Sequence, residues 1–183
     1  MKLHRFDPTT YGPVVSALLA KPRLAALGPG RPQLEVDVEL RRFDPQTDLA
    51  KSACNLNAAR ACLAGLWLYF DYLDESHTIS QDLNTKEGSF WHAIMHRREP
   101  DASNSKYWWR QVGSHPVLSR LASEAPSLGY KYTNPLDFVD FCERVRDSGT
   151  TDEHLAKQVQ LLEWQLLFDH CYKAAIGQLN ISE

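Results

Sequence analysis

Long apolar runs are missing from this chain. No stretch of about 18 residues passes without a polar side chain, so no segment is suited to cross a bilayer as a helix. The opening MKLHRFDPTTYGP also lacks the charged region and continuous apolar segment of a secretory leader, and a soluble, cytoplasmic protein is expected. Cysteine is sparse. Cys54, Cys62, Cys142 and Cys171 show no CxxC spacing, which argues against a disulfide scaffold, and each reads as a buried thiol on a helix. Charge of one sign is not clustered either: 20 basic and 23 acidic residues give a net −3, without the basic footprint of a nucleic-acid binder. There is no GxSxG, no GxGxxG, no phosphate-cradling glycine loop and no internal repeat, so nucleophilic catalysis and nucleotide binding have no motif behind them.

What is present suits one globular domain. The chain has 183 residues, of which 43% are apolar and 23% charged, enough to bury a sizeable core. Pro8, Gly12, Pro13, Pro22, Gly28, Pro29, Gly30, Pro32 and Pro45 break up residues 1–47, which are expected to wrap a helical core formed by 48–183. Within the wrap, VVSALLA at 14–20 suggests a short helix, and the alternation of Leu34, Val36, Val38 and Leu40 suggests a half-buried strand.

From Asp48 the sequence turns rich in alanine and leucine, and a long buried helix is expected over about 48–73. Ala58, Ala61, Ala64 and Gly65 would let another helix approach it closely. TISQ at 78–81 has the form of a capping box, and Ser89 can cap a helix that ends near Arg98, before Pro100. KYWWRQVG follows, closed by Gly113. Pro116, Asn134 with Pro135, and Thr150 with Glu153 mark three further helix starts, the last opening a helix over about 151–178 buried on two faces. The fold class expected is all-α, a single-domain helical bundle.

The chemistry concentrates in EGSFWHAIMHRREPD, residues 87–101. At about 100° per residue, His92, His96 and Glu99 fall on one narrow stripe of a helix. Imidazoles at i and i+4 can direct nitrogens to one metal ion, and a carboxylate one turn on can complete or orient the shell. A start at Ser89 would put His92 in the first turn, where the helix dipole disfavours the imidazolium. His77, from FDYLDESH, is the third metal-ligand candidate if the intervening turn folds back. Asp71, Asp74 and Glu75 precede it at the expected end of the long helix, an unfavourable position that invites a cation from Arg97, Arg98, Lys106, Arg110 or a metal. Glu75 and Glu99 are the candidate acid–base residues. Arg97, Arg98 and Lys106 beside Tyr107 and Trp108 suit an anionic small molecule. His115 reads as a helix cap, and His170 as the partner of Asp169.

LDESHTISQ and GSFWHAIMHRREPDASNSKYWWRQVGSHP resemble a family of bacterial and fungal hypothetical proteins, within residues 60–117. That resemblance implies no activity, fold or cofactor. The residues themselves lead to a small-molecule enzyme or sensor with a divalent metal of the zinc, iron or nickel class on His77, His92 and His96. The alternative is a non-catalytic interaction module built on Tyr107, Trp108, Trp109 and the arginines; a third reading is a purely structural subunit, for which a homodimer would be the supporting state.

Overall fold

The structure, a computed structural model, describes residues 6–179. Among these, every regular element is helical. The α-helices are α1 (Pro13–Leu18), α2 (Asp37–Arg42), α3 (Leu56–Tyr69), α4 (Leu73–Gln81), α5 (Lys86–Arg98), α6 (Ala102–Val112), α7 (Pro116–Glu124), α8 (Pro135–Val145) and α9 (Thr151–Ala175), with short 3-10 turns at Pro8–Tyr11, Leu34–Val36 and Ala125–Leu128. None of the described helices is long and apolar enough to cross a membrane. The chain is all-α, as its periodicity indicates.

Local capping chemistry explains most helix starts. Asn55 accepts from Ala58 N, Thr85 from Gly88 N, Asp101 from Asn104 N and Asn134 from Asp137 N, each satisfying an amide that the first turn leaves free. Thr150 accepts from Glu153 N while the Glu153 carboxylate reaches back to Gly149 N.

Several elements depart from the sequence pattern. The expected strand is a 3-10 turn followed by α2: Leu34 and Val38 are 78% and 52% exposed, and only Leu40 of the alternating set is fully buried. An alternating segment needs a partner strand to satisfy its backbone, and the local helix supplies those bonds instead. The helix expected from 48 begins at Leu56, because Cys54 N and Asn55 N donate to Ala175 O and tie the preceding segment to the end of α9. Cys54 is accordingly exposed, whereas Cys62, Cys142 and Cys171 are buried. TISQ does not open a helix; it ends α4, where the Thr78 hydroxyl donates to Asp74 O. Asp74 and Glu75 therefore lie in a first turn, where the helix dipole favours acids. Thr85, rather than Ser89, caps α5.

Helices α3 and α9 form the centre. Trp164 Nε1 donates to Gly65 O at 2.8 Å, and Trp91 from α5 lies against the same glycine. The N-terminal segment wraps this centre: Tyr172 donates to Thr10 O, Gln160 to Ala26 O, and Gln33 N to Phe70 O. Residues 1–5 of the expected wrap lie outside the described residues.

Two internal ion pairs fix α5. Arg97, fully buried, meets Glu163 at 2.5 Å with both side chains 0% exposed. Arg98 meets Asp71 at 2.5 Å and also donates to the carbonyls of Leu68, Gly28 and Pro29. Arg23 reaches the second oxygen of Asp71 at 2.6 Å. The α3–α4 turn, the wrap and the end of α5 thus share one carboxylate.

Two stability outcomes follow from this packing. Gly65→Ala places a methyl 2.7 Å from Trp91 Cζ2, a ring that is 0% exposed and cannot retreat. Overpacking of about 1–3 kcal/mol should exceed the gain of about 1 kcal/mol in helix propensity, giving a lower urea midpoint. An unchanged or raised midpoint would show that Trp91 has room. Arg97→Met leaves Glu163 buried without its charge partner and should cost about 3–5 kcal/mol, much of it recovered when Glu163→Leu is added.

Candidate metal centre

Helices α4, α5 and α6 pack side by side, and their facing surfaces bring three imidazoles together. The ring centroids of His77 and His92 are 4.7 Å apart, those of His77 and His96 5.4 Å, and those of His92 and His96 4.7 Å. His92 and His96 are nearly parallel at 21°, as i and i+4 rings on one helix can be, while His77 from α4 meets them edge-on at 87° and 75°. One ring nitrogen from each lies within 4.8 Å of the others. His92 and His96 are buried at 2% and 6% exposure, and His77 is half-buried.

The hydrogen-bond partners assign the proton on His96. Its Nδ1 lies 2.9 Å from Glu99 Oε2, a carboxylate that can only accept, so Nδ1 carries the hydrogen and Nε2 the lone pair. The Asn104 amide nitrogen lies 3.0 Å from Nε2 and 3.4 Å from Nδ1. A donor on the Nε2 lone-pair axis at that range would sit about 5 Å from Nδ1, so the amide rests over the ring face and leaves the lone pair open. His92 Nδ1 is buried and has no hydrogen-bond partner. An unpaired buried ring nitrogen beside an open lone pair is what a metal ion would satisfy.

Helix α6 closes the site by matching α5 turn for turn. Trp108 stacks on His92 at 4.0 Å and 16°, Asn104 one turn earlier covers His96, and the Ser105 hydroxyl donates to Ala93 O at 2.7 Å. His92 is the seventh residue of α5, so the dipole argument for a neutral ring no longer applies. Burial, followed by the neighbouring His96 and His77, lowers its pKa to about 3. His96 is also lowered, by burial first, against the opposing pull of Glu99.

The other sequence candidates divide clearly. Glu99 is at the site, on the outer nitrogen of His96. Glu75 is not: it lies two residues from His77, about 200° around α4, and it pairs with Arg41 at 3.2 Å. The Arg97 and Arg98 guanidinium groups, read as anion anchors, are spent on Glu163 and Asp71, and neither is more than 2% exposed. Arg98 is the cation that Asp71 was expected to attract. Lys106 pairs with Asp140 at 2.5 Å, and Arg110 is exposed. Of the three consecutive aromatics, Trp109 is buried, Trp108 leans on His92, and only Tyr107 is exposed, at 52%. A recognition surface therefore loses Trp109 and keeps Tyr107 with the uncovered part of Trp108.

A second cluster escaped the sequence pattern. Glu87 Oε1 lies 3.4 Å from His115 Nε2 and 3.2 Å from His170 Nε2. His170 pairs with Glu87 rather than with Asp169, which instead receives Tyr11 and Lys173. His115 does cap α7: its Nδ1 accepts from Val117 N at 3.2 Å. That bond uses the Nδ1 lone pair and puts the proton on Nε2, facing the carboxylate. A ring committed at both nitrogens has no lone pair for a metal, so this cluster is a clasp joining α5, α7 and α9. The two imidazoles, His115 first, hold the Glu87 carboxyl far below the usual carboxylate range. Sequence could have flagged Glu87 only with the correct start of α5.

Comparison with protein-family models, with curated proteins and with solved structures finds no match. The chemistry of the site therefore rests on its own geometry.

The neutral imidazoles give the metal-free protein a pH dependence of defined sign. Above about 6.5, His92 is neutral whether the chain is folded or unfolded. Below that, the unfolded chain takes up a proton that the folded one refuses until about pH 3, so stability falls with falling pH. The slope approaches about 1.4 kcal/mol per pH unit for each such histidine. Urea midpoints measured in the presence of a chelator should decline from pH 6.5 to 4.5, and His92→Gln should flatten the decline. A level wild-type profile would mean that His92 is not held neutral.

Proposed function

We propose that the protein binds a divalent d-block ion, of the zinc, iron or nickel class, on His77, His92 and His96, and uses it as a metal-dependent small-molecule enzyme or sensor. The observation that carries this reading is the meeting of three imidazoles from two helices, one nitrogen of each within 4.8 Å of the others, with His92 Nδ1 buried and unpartnered. Imidazole suits these ions, and a fully nitrogen donor set disfavours calcium and magnesium. One nitrogen of each ring within 4.8 Å of the other two is a spacing from which all three could reach a common ion.

Three protein ligands leave a fourth position for water or a substrate atom, the arrangement of catalytic rather than structural zinc. Because all three donors are neutral, the ion keeps its double charge. Held by His77, His92 and His96, such an ion would acidify a bound water and attract a small anion, giving the anionic ligand a partner other than the internal arginines.

Metal analysis of protein purified without an affinity-metal step, followed by zinc and nickel titration in a calorimeter, tests the reading. One equivalent per chain is expected, lost by at least 100-fold in His92→Ala and His96→Ala. Free metal at 100 times Kd should stabilise the fold by about 2.7 kcal/mol. No bound metal, no heat on titration and no shift in Tm would remove the proposal.

A further inference from the structure

We infer that the turn joining α5 to α6 together with the first turn of α6, residues 99–104, is the outer shell of the metal centre, with Glu99 and Asn104 as positioning residues that act through His96. The inference rests on the proposed metal site and concerns residues that do not themselves touch the ion.

The turn is built around one ring. Helix α5 closes with Glu99 N donating to Met95 O and Asp101 N donating to His96 O, both at 2.9 Å, so the chain doubles back over His96. Asp101 Oδ1 then accepts from Asn104 N at 3.0 Å and from Ser103 Oγ at 2.9 Å, which starts α6 and fixes Asn104 at its third position. From there the Asn104 amide covers the His96 ring face, while Glu99 takes the Nδ1 hydrogen in the ring plane. Two contacts from different directions hold one imidazole in both tilt and rotation.

The Glu99 contact is not forced by burial. Its side chain is 53% exposed and could rest in water, yet one oxygen is on a ring that is 93% buried. A neutral imidazole can carry its hydrogen on either nitrogen, and a site that needs Nε2 as donor must keep the hydrogen on Nδ1. A carboxylate at Nδ1 does this, and its charge makes Nε2 a stronger donor. The role differs from that of a general base. Nδ1 and Nε2 face different sides of the ring, and Glu99 Oε2 lies at Nδ1, on the side away from the donor nitrogen.

Neither His77 nor His92 has a described carboxylate on a ring nitrogen, so His96 is the ligand with a dedicated orienting acid. The acids three and five residues beyond the second histidine of the pair thereby gain a use. Glu99 sets the tautomer, and Asp101 holds the residue that sets the tilt.

The test has two parts. Long-range nitrogen NMR of the wild-type protein, before and after zinc, reads the His96 tautomer without any substitution. The Nδ1–H form is expected in both states, and an Nε2–H form in the zinc-free protein would overturn the inference. Zinc titration of wild type, His92→Ala, Glu99→Leu, Glu99→Gln and Asn104→Leu then separates the layers. Expected are loss of binding in His92→Ala, a weakening of 10- to 100-fold in Glu99→Leu, and a smaller loss in Glu99→Gln, whose amide oxygen still accepts but carries no charge. Asn104→Leu should weaken binding and broaden the d–d spectrum of the cobalt-loaded protein. If Glu99→Leu binds zinc as wild type does while His92→Ala does not, the metal site stands and the outer shell falls. If wild type and His92→Ala behave alike, the site itself falls and the inference falls with it.

Discussion

The cost of burying an arginine without a partner organises this molecule. Arg97 and Arg98 follow one another on α5 and point to different sides, each to an internal acid: Glu163 on α9 for the first, Asp71 in the α3–α4 turn for the second. A desolvated charge that loses its partner is penalised by several kcal/mol, so these pairs specify where α5 sits even if they add little net stability. His96, one residue earlier, is turned a further 100° or so, toward α4 and α6. HRR is thus a three-way junction. Two of its side chains anchor the helix, and the third is delivered to the imidazole cluster.

The two histidine clusters show how hydrogen-bond roles separate a ligand site from a clasp. Both place three side chains within the same reach. At His115, a backbone amide uses one nitrogen and a carboxylate the other, and no lone pair is left. At His96, the carboxylate takes the hydrogen and the remaining lone pair has only an amide across its ring face. Proximity is common to both, and the distribution of protons and lone pairs is not.

Legibility of the fold followed the range of the interaction that decides each feature. The starts of α7, α8 and α9 depend on neighbours within three residues, and Pro116, Asn134 and Thr150 announced them. The starts of α3 and α5 were contested by several adequate caps. For α3, the choice was made by Ala175, more than a hundred residues away. The alternation at Leu34–Leu40 misled because period 2 only predicts a strand when another strand is there to pair with.

The site was read in the same proportion. That His92, His96 and Glu99 share a stripe needs only a helix, and it survived a wrong start for that helix. Glu75 was placed beside His77 by sequence proximity, where helical geometry sends it to the opposite face. The fate of Arg97 and Arg98 depended on acids far along the chain, which no local pattern reveals. Asn104 escaped notice because a contact with a ring face has no spacing rule.

The site is nearly local in sequence. His77 and His92 are fifteen residues apart, and His77 through Trp108 covers the second half of α4, all of α5 and the greater part of α6. Closing so short a loop costs little chain entropy, and α5 packs directly against both α4 and α6. The imidazole cluster is thus drawn from one contiguous stretch of the chain, and its geometry is set by contacts of low sequence separation.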